Sequence, residues 1–186
     1  RSLFYPSASL SWVPTSTFDA LKGSSAMSYL KIRAGYGQSA GFTGGYPVAN
    51  TLLLNVRDNQ DDAGQNIVTN TTSNVLGNPN LSPELVSELE VGFESRFWNN
   101  RISLDFSWFQ RETTDLIINR PLDPATGFTS VSTNIGKIEG DGIEVDLGID
   151  ILENKGPESF SWNVGYNFTT QQSTVTDLGL DTDLVV

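Results

Sequence analysis

The stretch Glu84-Leu85-Val86-Ser87-Glu88-Leu89-Glu90-Val91-Gly92-Phe93-Glu94-Ser95-Arg96-Phe97, with the turn Trp98-Asn99-Asn100-Arg101 after it, decides the fold. Odd positions 85 to 97 hold only Leu, Ser, Val and Phe, while every charge falls on an even position. Beyond the turn, Ile102, Leu104, Phe106 and Trp108 alternate with Ser103, Asp105 and Ser107. Successive strand side chains point to opposite faces, so each arm has an apolar wall and a charged one. Adjacent asparagines tolerate positive φ and suit a tight antiparallel turn. Leu85, Leu89, Phe93 and Phe97 also recur at helical spacing, and Ser82-Pro83-Glu84 resembles a helix start. Strict alternation on both sides of the turn, with Val91-Gly92-Phe93 inside it, favours a β-hairpin spanning residues 79–118.

Each arm exceeds the usual strand of about five or six residues. Crossing a bilayer takes about 9 to 11 tilted strand residues. The hairpin therefore reads as part of an antiparallel transmembrane β-barrel, with its apolar wall in lipid. Leu89, Phe93, Leu104, Phe106 and Trp108 would face hydrocarbon, and Glu88, Glu90, Glu94 and Asp105 the interior.

Composition agrees with this class. The 186 residues carry 11 basic and 22 acidic side chains, a net charge of −11 that argues against nucleic acid and anionic headgroups as partners. Cysteine and histidine are both absent, which removes thiol chemistry, imidazole metal sites and His-dependent triads. No run of about 18 apolar residues exists. That leaves a membrane barrel open, since its strands are only half apolar. The opening Arg1-Ser2-Leu3 lacks an initiator methionine and points to a piece of a longer chain.

Working outward, a first strand ends near Trp12-Val13-Pro14, followed by a connector in which 18–22 would pass for a helical turn, capped by Ser16 or Thr17 and ended by Gly23. A second strand puts Leu30, Ile32, Ala34 and Tyr36 outward and Lys31 and Arg33 inward, facing the acids of the 90–94 region as cross-strand ion pairs. Residues 38–83 read as a long Gly-, Asn- and Thr-rich loop anchored by Leu52-Leu53-Leu54. After a medium loop at 120–130, a fifth strand ends in Ile143 to Ile151, alternating with Glu144, Asp146 and Asp150. Its upstream Gly140-Asp141-Gly142 suggests a bulge. A sixth strand covers 160–168, and nothing is assigned beyond Thr170. The connections run short, long, short, medium, short, the rhythm of a barrel with tight turns at one rim and larger loops at the other. Trp12, Trp98 and Trp162 would then share the tight-turn rim as an aromatic girdle.

The acids of the inward face look like strand patterning rather than the paired carboxylates of a glycosidase. The run Arg57-Asp58-Asn59-Gln60-Asp61-Asp62-Ala63-Gly64 suits a solvated loop better than a calcium site, because Ala63 stands where the EF-hand glycine belongs. Asn70-Thr71-Thr72 and Asn167-Phe168-Thr169 match a glycosylation triplet that is common by chance. Phe42, Tyr46 and Phe128 are loop aromatics that could stack on a ligand. No catalytic, metal or cofactor residues are expected.

Gly77-Asn78-Pro79-Asn80-Leu81-Ser82-Pro83-Glu84, Glu90-Val91-Gly92-Phe93-Glu94, Asn100-Arg101-Ile102-Ser103-Leu104-Asp105 and Asn134-Ile135-Gly136-Lys137-Ile138-Glu139-Gly140-Asp141-Gly142 resemble the C-terminal barrel region of SusC/RagA-type TonB-dependent transporters. The resemblance covers nearly the whole chain in order. It implies that 1–186 is about six strands of a barrel of ~22, within the range of outer-membrane barrels. It also implies a plug domain and TonB box outside this sequence, and a SusD-like surface lipoprotein contacting 38–83 and 120–130. The implied cargo is oligosaccharide or peptide, imported with energy from TonB. Two alternatives stand beside it: a soluble β-sandwich carbohydrate-binding module, whose strands also alternate, and a siderophore or vitamin receptor on the same barrel.

Overall fold

The computed structural model describes residues 4–21, 26–41, 47–152, 156 and 160–179, with the side chains of 55–59 and 69 outside that description. In chain order the elements are β1 (Ser7–Trp12), a one-turn helix α1 (Pro14–Thr17), β2 (Met27–Gly41), β3 (Leu52–Gln60), β4 (Asn66–Thr72), β5 (Val75–Leu76), β6 (Glu84–Phe97), β7 (Ile102–Pro121), a 3₁₀ turn (Pro124–Thr126), β8 (Ser130–Leu152) and β9 (Trp162–Asp177). The main sheet runs β1-β2-β6-β7-β8, with β5 and β9 both pairing β8, while β3 and β4 pair only with each other. The 84–97 stretch is strand throughout, which settles the helical alternative.

Alternation holds where the register is read directly. Ala8 lies opposite Tyr36, Leu10 opposite Ala34 and Trp12 opposite Ile32, all apolar. On the other face Ser7 meets Gly37, Ser9 meets Gly35 and Ser11 meets Arg33. Phe93 and Phe106 stack across β6 and β7 at 5.5 Å. Yet among the described residues no large hydrophobic side chain is buried; the buried polar ones are Thr15, Ser95, Ser107 and Ser132. Leu10 is 74% exposed and Leu89 39%. A water-soluble sandwich of this length would bury its apolar rows in a shared core. Here no apolar row is buried among the described residues, and the fold is all-β, of transmembrane-barrel type.

Contacts divide the chain into two units. The first comprises Arg1–Ser39, Val86–Thr113 and Ile138–Val175. Its β6–β7 turn places Trp98, Asn99 and Asn100 at φ of 48°, 57° and 68°, as the Asn-Asn pair predicts. The Trp98 amide donates to Ala26 O, and the Asp150 amide to Arg101 O, so the turns gather at one rim. The connector helix differs from expectation: it spans Pro14–Thr17, with Pro14 at its first turn and Phe18 at its C-terminus. Ser16 and Thr17 therefore lie inside it rather than capping a helix at 18–22, and Gly23 is outside the described residues. Proline's fixed φ favours the first helical turn. β8 passes through Gly140–Gly142 as continuous strand; at Gly142 a Cβ would lie 2.4 Å from Phe109 Cζ, so that glycine makes room for a ring. β9 extends to Asp177, well past Thr170.

The second unit comprises Ala40–Leu85, Thr114–Lys137 and Thr176–Val186. It corrects the expectation of an open loop at 38–83: β2 continues to Gly41, and β3 and β4 form a hairpin. The hairpin closes on Asp61, whose Oδ1 accepts from the amides of Ala63 (3.0 Å) and Gln65 (2.8 Å), with Gly64 at φ 75°. Leu52, Leu53 and Leu54 do not anchor it, each being more than half exposed. The medium loop is tighter than 120–130, because β7 runs to Pro121 and Asp123 caps the 3₁₀ turn through the Ala125 amide at 2.8 Å.

Candidate functional site

The first unit carries a network on the charged face of the β2-β6-β7 strands. β2 supplies Arg33, β6 supplies Glu90, and β7 supplies Asp105 and Ser107. Arg33 donates to both Asp105 oxygens, Nη1 to Oδ2 at 3.2 Å and Nη2 to Oδ1 at 2.7 Å. Its Nη2 also donates to Ser107 Oγ at 2.5 Å, and its Nε to Glu90 Oε1 at 3.5 Å. Ser107 Oγ in turn donates to Glu90 Oε1 at 3.1 Å, which closes the ring.

Because β6 lies between β2 and β7, the guanidinium must cross a whole strand, and it crosses at Gly92. A Cβ there would sit 2.5 Å from Phe106 O and 3.2 Å from Arg33 Cζ. Glycine is the residue that lets another group approach the backbone this closely. A bidentate Arg–carboxylate pair fixes orientation as well as distance.

Flanking this ring, Arg111 pairs with Glu88 at 2.6 Å and Arg96 with Glu94 at 3.2 Å, the latter guanidinium also lying 5.4 Å from the Tyr29 ring centroid. Further along the face, Asn167 donates to Asp146 at 3.2 Å and Asn163 to Asp150 at 3.4 Å. The equal spacing of these bonds on β8 and β9 is what an antiparallel pair with both residues on one face produces. Glu144 lines a depression of about 300 Å³ with Arg33, Asp105 and Asn167. A broader groove of about 650 Å³ runs over Ser9, Gly35 and Gly37, walled by Glu88, Glu90 and Arg111.

The residues expected inward thus gather on one face, with differences. Arg33 pairs with Glu90, as its strand position predicts, but its stronger partner is Asp105, two strands away. Lys31 corrects the expectation of an ion pair: among the described residues it makes none, and it borders a depression beside Glu90. Ser107 and Gly92, both central, carried no sequence signal beyond their small size. Trp12, Trp98 and Trp162 are exposed; Trp12 donates through Nε1 to Thr17 Oγ1 at 3.0 Å and meets Phe18 edge-on. Leu104, Phe106 and Trp108 are half-buried, as is Phe128. Phe42 and Tyr46 lie outside the described residues, as do the side chains of Arg57, Asp58 and Asn59. Asp61 is engaged as a turn cap.

Among the described residues the arrangement gathers charge and hydrogen bonding on one face of the sheet. The comparisons agree. Residues 1–184 match the family described as TonB dependent receptor-like, beta-barrel. The chain is 27% identical to TonB-dependent receptor P26 of Formosa agariphila over 95% of its length and 17% of that protein. It is also 27% identical to TonB-dependent receptor P3 of the same organism, over 98% of the chain and 18% of that protein. It is similar in fold to the RagAB peptide importer in its closed-closed state, with a TM-score of 0.77 and 25% identity over 98% of this chain and 19% of that one. The chain therefore spans under a fifth of the length of these relatives. No large hydrophobic side chain buried among the described residues, a network of charged residues on one face of the sheet, and a family match along nearly every residue lead to one conclusion: this chain belongs to the TonB-dependent receptor-like β-barrel family of the outer membrane.

Proposed function

We propose that the chain forms part of the wall of a TonB-dependent importer of oligosaccharides or peptides, of the SusC type, working with a SusD-like surface lipoprotein. The observation that carries this reading is the likeness, over nearly the whole chain, to the RagAB peptide importer. In this reading the apolar face, including Leu89, Phe93, Leu104, Phe106 and Trp108, contacts hydrocarbon. The face holding Lys31, Arg33, Glu88, Glu90, Glu94, Asp105, Glu144, Asp146 and Asp150 lines the interior against plug and cargo. Trp12, Trp98 and Trp162 take the interfacial depth that suits an amphipathic ring. The exposed β3–β4 hairpin contributes to the lipoprotein contact, Phe128 to loop packing or ligand stacking, and Phe42 and Tyr46 to ligand stacking. TonB engages a region outside this sequence.

A vitamin receptor is the second reading. It is favoured by 33% identity to the vitamin B12 transporter BtuB of Vibrio vulnificus, which extends over 42% of the chain. Deleting the gene and following uptake of labelled peptides, oligosaccharides and cobalamin, with and without an uncoupler, separates the two. Energy-dependent loss of peptide or oligosaccharide uptake supports the importer; loss of cobalamin uptake alone overturns it.

A further inference from the structure

In the second unit, three asparagine side chains tie the segment 77–82 to its surroundings. Asn134 on β8 acts as a miniature strand: its Oδ1 accepts from the Ser82 amide at 2.9 Å, and its Nδ2 donates to Ser82 O at 2.8 Å and to Asp115 O at 2.7 Å. Asn78 Nδ2 donates to Ser132 O at 2.9 Å, and Ser132 Oγ to Asn119 at 2.7 Å. Asn50 Oδ1 accepts from the Gly77 amide at 2.7 Å, while the Asn78 amide donates to Pro47 O at 2.7 Å. Gly77 is held so closely that a Cβ would lie 2.4 Å from Ala49 C.

Asp115 explains why side chains are needed here. It sits at φ 56° within β7, a left-handed conformation that interrupts a regular ladder. The Ile117 amide is taken by Glu84 Oε1 at 2.9 Å, and Asp115 O by Asn134. β5, just before the segment, pairs in parallel with Ser130 and Val131. Backbone groups left over by the kink and the short strand thus find side-chain amide or carboxylate partners.

We infer that residues 47–50 and 77–82 form a fixed pedestal for the β3–β4 hairpin, clipped by Asn50, Asn78 and Asn134, and not a gate that swings away from β8. The inference stands on these contacts alone, and uptake is not its readout, so it survives or fails independently of the transport reading.

Hydrogen exchange on the full-length protein in nanodiscs tests it. The amides of Gly77, Asn78 and Ser82 are expected to exchange at least about a hundredfold more slowly than Asp62 in the hairpin turn, since local opening sets exchange rates. Asn134→Ala is expected to speed exchange over 77–82 by about tenfold or more while leaving the β6 amides unchanged. Asn78→Ala is the second variant should Asn134→Ala fail to assemble. Wild-type exchange at 77–82 as fast as at Asp62, or rates indifferent to both variants, would overturn the pedestal.

Discussion

A guanidinium on one strand reaches a carboxylate two strands away only where the intervening residue has no side chain. Gly92→Val would place carbon against Phe106 O and against the path of Arg33. Overpacking of this kind costs about 1 to 3 kcal/mol. The bidentate contact with Asp105 would be lost in addition, so urea unfolding of the full-length barrel in vesicles should show Gly92→Val to be more destabilising than Arg33→Lys, which keeps charge but not the fork. Equal effects would show that the strand crossing contributes nothing. At the turn, Asn100 holds φ 68°. A β-branched residue is strained there by about 1 to 2 kcal/mol; the same unfolding assay should therefore find Asn100→Val destabilised and Asn100→Gly close to the parent.

At the scale of elements, the two faces of β6 should respond oppositely to one substitution. Arginine on the lipid face near the bilayer midplane costs about 2 to 4 kcal/mol, whereas surface changes away from special features cost within about 0.5 kcal/mol. Leu89→Arg is expected to impair insertion into vesicles, and Val86→Arg, beside the polar groove, to insert nearly as the parent does. Similar losses at both positions would contradict a lipid face. The long strands were legible in sequence because a period of two survives over many residues, as the β1–β2 register shows directly. The Asn-Asn turn was legible through its φ preference. The hairpin at 52–72 was not: its Asn, Thr and Gly content signals turns, and what orders its base is amide side chains drawn from positions as distant as Asn134. Likewise the strand period puts Arg33 on the same face as Glu90 and Asp105, but its principal partner depends on a glycine in the strand between, which pairwise strand reasoning does not consider.

For the whole molecule, the absence of a buried hydrophobic core among the described residues is the organising fact. Exposed apolar rows need another apolar medium, and an antiparallel sheet closed into a barrel, with its backbone groups paired between strands, can enter lipid. The family match and this packing share one explanation. Spin labels placed singly at positions 85 to 97 of the full-length protein in lipid vesicles test it most directly, by collision with oxygen and with a water-soluble nickel chelate. The account predicts a two-residue period, with Leu89, Val91 and Phe93 open to oxygen and Glu88, Glu90 and Glu94 favouring nickel or shielded from both. Labels at Leu89 and Phe93 that favour nickel, or no period at all, would contradict it.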